Sequence, residues 1–238
     1  MAIFTEGSLR AGFQQSGAWT ALRISFETST IALALMIVFG TPIAYLLATT
    51  DVPGKTLLTT LFELPLVLPP AVAGLGLLMA FGRFGLLGSQ LDALGIELPF
   101  TKAAVVMAMT FVASPLYVRQ AIAAFGGVEP DLLAASRTLG AGPARTFFHV
   151  AVPVAVPGLS AGAALGWARA LGEFGATILF AGSLPGRTET APIAIYLGLE
   201  QGLNAALALG ALLITVSAIV LVAVKLLVRG RALRFTPA

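Results

Sequence analysis

Residues 24–49, ISFETSTIALALMIVFGTPIAYLLAT, decide the fold class. They carry one charge, Glu27, and otherwise run apolar for longer than the roughly 20 residues a helix needs to cross a hydrocarbon core about 30 Å thick. The run is continuous rather than alternating, so it reads as a membrane helix and not as a barrel strand. Working outward, residues 57–81, 103–125, 153–181 and 203–228 are of the same kind. Residues 191–199 are apolar but too short to span, and read as a re-entrant or interfacial piece. Composition agrees: 58% of the 238 residues are hydrophobic and 11% are charged. Soluble domains carry about 25% charge, which excludes a soluble globular enzyme, and a disordered chain would need more charge still. The expectation is an all-α, polytopic membrane helix bundle of five spans plus that short segment.

The net charge of +3 suggests no nucleic-acid partner, because the cations do not gather on one binding face. They point instead to orientation in the bilayer. The densest basic cluster, Lys225, Arg229, Arg231 and Arg234, places the C-terminus in the cytoplasm by the positive-inside bias. Counting spans back puts Lys55, Arg119, Arg137 and Arg145 inside, and Arg10, Arg23, Arg83, Lys102 and Arg187 outside, with the N-terminus. Domain organisation then reads as an extracytoplasmic N-terminal segment (1–21), one membrane domain (22–228) with a cytoplasmic loop at 126–152, and a basic cytoplasmic tail (229–238). The first residues lack the basic-then-apolar pattern of a cleaved signal peptide. There are no cysteines and a single histidine, His149, so no metal site, cofactor or thiol chemistry is expected.

Charges inside spans are costly and face a bundle interior or water. Arg169 and Glu173, four residues apart, share one helix face and read as an internal ion pair or as part of a pathway for an anion. Glu27 and Glu63 read as lying near helix ends or between helices. Pro65, Pro69 and Pro70 remove backbone bonds from the second stretch and predict a kink. Gly158, Gly162 and Gly166 repeat every four residues, a row that lets a second helix come close, either within the chain or from a partner subunit.

Two patterns look catalytic and are not. Gly158-Leu159-Ser160-Ala161-Gly162 matches a nucleophile elbow, but it lies in a membrane helix without a histidine at its depth. Gly54-Lys55-Thr56 matches the end of a phosphate-binding loop, yet Thr49 stands where the earlier glycine belongs. No catalytic residue is assigned, and ATP, if used, binds another subunit.

The loop EPDLLAASRTLGAGPARTFFHVAVPVAVPGL, residues 129–159, reads as a helix from Asp131 to Leu139 that stops at Gly140. A second amphipathic piece follows from Pro143 to Val150. Together they form a surface on which a cytoplasmic partner can dock.

This loop resembles the coupling loop of ATP-binding-cassette importer permeases, whose motif reads approximately E-A-A, three residues, G, nine residues, I-x-L-P. Ala134, Ala135 and Ser136 stand at its first places, Gly140 at its glycine and Pro153 at its end; Ala134 replaces the glutamate. FGTPIAYLLA, PGK, LPLVLPPAVAG, ASRTLGAG and RALGEFGATILFAG are similar, in order and spacing, to the molybdate permeases of these importers, over residues 22–228. The resemblance implies the type I ABC importer permease fold and a non-enzymatic subunit of an ATP-driven molybdate importer in a prokaryotic plasma membrane (the inner membrane of a Gram-negative cell). Sulfate and tungstate permeases are near relatives, and an ATP-independent channel is the further alternative. It also implies a second copy of the chain, two ATP-binding subunits docked around Asp131, Arg137 and Arg145, and an extracytoplasmic molybdate-binding protein.

Overall fold

The computed structural model describes residues 17–51, 53–201 and 203–232. Most of the expected N-terminal segment, with Arg10, and the end of the expected tail, with Arg234, lie outside the described residues. Among the described residues the regular structure is entirely helical. The chain runs α1 (Ala18–Thr49), α2 (Lys55–Val67), α3 (Pro70–Phe81), α4 (Gly88–Ala93), α5 (Lys102–Gly126), α6 (Pro130–Thr138), α7 (Pro143–Thr146), a π-helical turn (Phe147–Ala151), α8 (Val152–Leu171), α9 (Gly175–Ala181), α10 (Ala191–Gln201) and α11 (Leu203–Ala232). Helix α1 thus begins at Ala18 and α11 runs to Ala232.

Helix α5 occupies the centre, packed mainly between α1 and α8. Its residues Val105, Met109, Val112, Tyr117, Val118 and Phe125 are buried with Met36 and Ala44 of α1 and Ala155 and Leu159 of α8. The Tyr117 hydroxyl and the Thr41 hydroxyl hydrogen-bond at 2.5 Å, which satisfies two polar groups in the apolar interior.

The five expected stretches all fall on helices, with differences in detail. Among the described residues three helical runs have the length and apolarity to cross a bilayer, α1, α5 and the continuous Pro143–Leu171 run, and a bent pair of shorter helices can make a fourth. The second stretch is no straight span: it breaks at Leu68–Pro69, and α2 and α3 diverge by 114°. Leu68 precedes a proline and is driven to extended backbone, Pro69 follows it there, and Pro70 restarts the helix at its first position. The fourth stretch ends at Leu171 rather than at residue 181, because Gly172–Phe174 leave the helix before α9 begins. The fifth stretch lies on α11. The short apolar piece is a true helix, α10, tied to α1 where the buried Ser25 hydroxyl accepts from the Ala191 N–H at 2.7 Å.

The second half of the loop also differs from expectation. Pro143–Val150 is not a separate surface helix but the first turns of the run that becomes α8. Within it the Val152 N–H bonds Phe147 O, five residues back. Pro153 supplies the reason: its ring crowds the carbonyl four residues before it and brings no N–H, so the helix widens by one residue there.

Candidate functional site

The two breaks in the spans meet each other. Helix α3, just after the Leu68–Pro69 break, packs against α9, just after the Gly172–Phe174 break. The approach is backbone to backbone: a Cβ built on Gly74 would lie 2.6 Å from Ala176 O, and one on Gly175 would lie 3.0 Å from Ala71 N. The segments LPLVLPPAVAG and GEFGATI, a hundred residues apart, thus form one junction. Glu173 seals it. Its side chain is 1% exposed, and Oε1 accepts from the Ala176 N–H at 2.8 Å in the first turn of α9. A carboxylate is favoured there by the helix dipole. Oε2 meets Arg169 Nη1 at 2.6 Å as a charge pairing without an aligned N–H. Arg169 retains 30% exposure, so the pair joins a buried junction to the open side of α8.

The loop surface is built at the opposite end of α8. Pro130 opens α6, Asp131 stands in its first turn and Arg137 in its last, each where the dipole favours it. The helix closes with a Schellman pair: Ala141 N–H to Ser136 O at 3.1 Å and Gly140 N–H to Arg137 O at 2.9 Å. Gly140 takes φ +83°, with open space where a Cβ would sit, so the demand for glycine is conformational and not steric. Asp131, Ala134, Ala135, Arg137, Gly140, Arg145 and Pro153 are exposed, and Ser136 is half-buried, its hydroxyl 3.1 Å from that of the buried Thr146. Leu132, Leu139 and Phe148 add exposed apolar surface among these charges.

What anchors this surface was not legible in the sequence. Leu133 is buried with Val128 and Phe125. Beneath them Tyr45 of α1, Phe125 of α5 and Phe147 of the π turn form one aromatic cluster, with Tyr45 centroids 5.3 and 4.9 Å from the other two rings. The cluster thus joins side chains from α1, α5 and the turn that leads into α8. No local pattern links residues 45, 125 and 147, so nothing in the sequence announces them.

The small-residue row faces α5 of the same chain. A Cβ on Gly158 would strike Ala124 Cβ at 2.5 Å, one on Gly162 Gln120 Cβ at 2.9 Å, and Gly166 lies against Tyr117 and Met36. Ser160 spends its proton on Val156 O, at 2.7 Å, and Pro157 O. Glu27 pairs with Lys102 at 3.0 Å and Glu63 with Arg119 at 3.9 Å, both between helices. Among the described residues no group of His, Cys, Asp or Glu is arranged to hold a metal.

The family described as "Binding-protein-dependent transport system inner membrane component" matches residues 36–232. The "Molybdenum transport system permease protein ModB" of Mycobacterium tuberculosis is 44% identical over 207 residues, covering 86% of this chain and 78% of that protein. The "Probable sulfate transport system permease protein cysT" of Nephroselmis olivacea is 35% identical over 209 residues, 87% of this chain and 74% of its own length. Among solved structures, a bacterial ABC transporter involved in the import of the acidic polysaccharide alginate superimposes with a TM-score of 0.78 at 15% identity, over 98% of this chain and 85% of that one. That last likeness concerns the fold alone, which is that of an ABC importer permease.

Proposed function

We propose a function on one premise: this chain belongs to the family of binding-protein-dependent transport system inner membrane components. It is the membrane-spanning permease subunit of an ATP-driven molybdate importer. The observation that carries the cargo is the 44% identity, spread over most of the chain, with molybdenum permeases. It sits as a multi-pass protein in a prokaryotic inner membrane, N-terminus outside and C-terminus in the cytoplasm. Two copies enclose the path, a binding protein delivers the oxyanion from outside, and two ATP-binding subunits dock on loop 126–152 and perform the hydrolysis. The permease does no covalent chemistry.

The loop supports this reading physically. Exposed Leu139, Leu132 and Phe148 offer apolar surface, and exposed Arg137 and Arg145 offer arginines, a residue type enriched in binding hot spots. The Ser136–Thr146 contact and the aromatic cluster make α6 a lever on α1, α5 and α8. ATP switches the path only by stabilising one of two helix packings over the other, and the lever is where that difference in free energy enters.

Elemental mass spectrometry of cells lacking the chain, and of complemented cells, grown on trace molybdate with excess sulfate, tests the cargo. Molybdenum lost and then restored is the expected result. Unchanged molybdenum overturns the cargo and directs the same assay to sulfate and tungstate.

A further inference from the structure

Between residues 104 and 122 of the central helix α5, one side chain is exposed: Arg119. Its neighbours Tyr117, Val118 and Ala121 are buried, yet its own side chain is 72% accessible. Its contact with Glu63 of α2 is long, 3.9 Å from Nε to Oε1, and Glu63 is itself 42% accessible. Both stand about two turns inside their helices. At 1.5 Å per residue, Arg119 lies about 10 Å from the end of α5 at Gly126, and Glu63 about 12 Å from the start of α2 at Lys55.

A charge at that depth is not left facing lipid. A lipid phosphate reached by the arginine would explain the guanidinium, but it would repel the carboxylate beside it. The surroundings point to water. Thr56, Thr59 and Thr60 fall within about 60° of Glu63 around α2, so one stripe of an otherwise apolar helix is polar. Thr59 and Thr60 donate their protons to Lys55 O and Thr56 O, each at 2.8 Å. The stripe is thus wettable but offers an anion little to bind. Arg119 offers a planar fork of N–H groups suited to two oxygens of a tetrahedral oxyanion.

Resting on the importer reading above, we propose that Arg119, opposed by Glu63, is a transient station for the oxyanion dianion in the half of the path nearer loop 126–152. Glu63 is the second half of the device. An arginine alone at this depth would hold a dianion too well for transport, and the facing carboxylate shortens the stay by repulsion. A conducting path needs sites that attract but release.

The chain contains no cysteine, so single cysteines report directly on water access. In the assembled transporter in membrane vesicles, Thr60→Cys and Arg119→Cys are expected to react with a charged, membrane-impermeant thiosulfonate at least 10-fold faster than Leu61→Cys. Leu61 is exposed on the opposite side of α2. Rates as low as that of Leu61→Cys, whether lipid or a second copy covers the site, overturn the proposal. In the same vesicles, Arg119→Gln is expected to lower molybdate uptake at least 10-fold, with Arg119→Lys intermediate and the transporter still assembled. Wild-type uptake by Arg119→Gln also overturns it. If the unaltered transporter takes up no molybdate, the cargo assignment fails, while the labelling pattern, which needs no cargo, still decides whether this space is wet.

Discussion

Gly74 and Gly76 are two residues apart on α3 and differ in one respect that permits a controlled experiment. A methyl group added at Gly74 would sit 2.6 Å from Ala176 O and 2.7 Å from Ala176 Cα, both backbone atoms of α9. Neither can rotate away. At Gly76 nothing lies within 4 Å. Replacing helical glycine by alanine gains up to about 1 kcal/mol at either position from backbone entropy. Overpacking against a fixed neighbour costs about 1–3 kcal/mol, so the difference between Gly74→Ala and Gly76→Ala isolates the overlap. For a chain of this size that difference corresponds to roughly 2–12 °C in Tm. The assay is the fraction of the purified, assembled transporter that stays monodisperse on size exclusion after heating, together with uptake. Gly74→Ala should melt below the unaltered protein and Gly76→Ala at or above it. Because the junction unites both span breaks, uptake by Gly74→Ala should fall even below its melting temperature. Equal melting of the two variants would refute the claim that α3 and α9 touch backbone to backbone.

Other outcomes follow from the same geometry. Arg169→Met strands the fully buried Glu173 carboxylate without its cation, at a cost of about 3 kcal/mol or more, whereas Glu173→Gln leaves Arg169 partly in water and should be the milder change; the reverse order in thermal melting would contradict the burial asymmetry. Gly140→Ala must hold a left-handed backbone at about 1–2 kcal/mol, so it should assemble yet lose ATP-coupled uptake, while Gly140→Asn retains more; full coupling in the alanine variant would remove the turn from the lever. Tyr117→Phe and Thr41→Val each delete one end of the same hydrogen bond, about 1 kcal/mol apiece, and the double variant should cost less than their sum; strict additivity would show that the two hydroxyls act independently.

Several of these sites are legible in the sequence, for reasons that differ. Asp131 and Gly140 were legible because helix starts and stops are local chemistry, set by dipole and φ within one turn. The prolines at 65, 69 and 70 announced a kink, but the size of the turn was not in them. An extended Leu68–Pro69 pair redirects the chain, and only the surface awaiting α3 on α9 fixes the direction. The expected span ending at residue 181 erred for a related reason. Glu173 alone interrupts the apolar run Leu171–Ala181, and its carboxylate accepts from the Ala176 N–H at the break.

By itself the sequence determined the solvent, the helical class, the helix that stops at Gly140 and the resemblance on which the functional reading rests, because each is a property of composition or of residues a few positions apart. Tertiary structure alone decided which faces meet. It set the glycine row of α8 against α5 of the same chain, joined the two broken spans at Gly74 and Ala176, and gathered Tyr45, Phe125 and Phe147 beneath the loop. It also left Arg119 uncovered beside Glu63. Each of these is a contact between distant segments, and steric fit between helices, unlike hydropathy, is not additive along the chain.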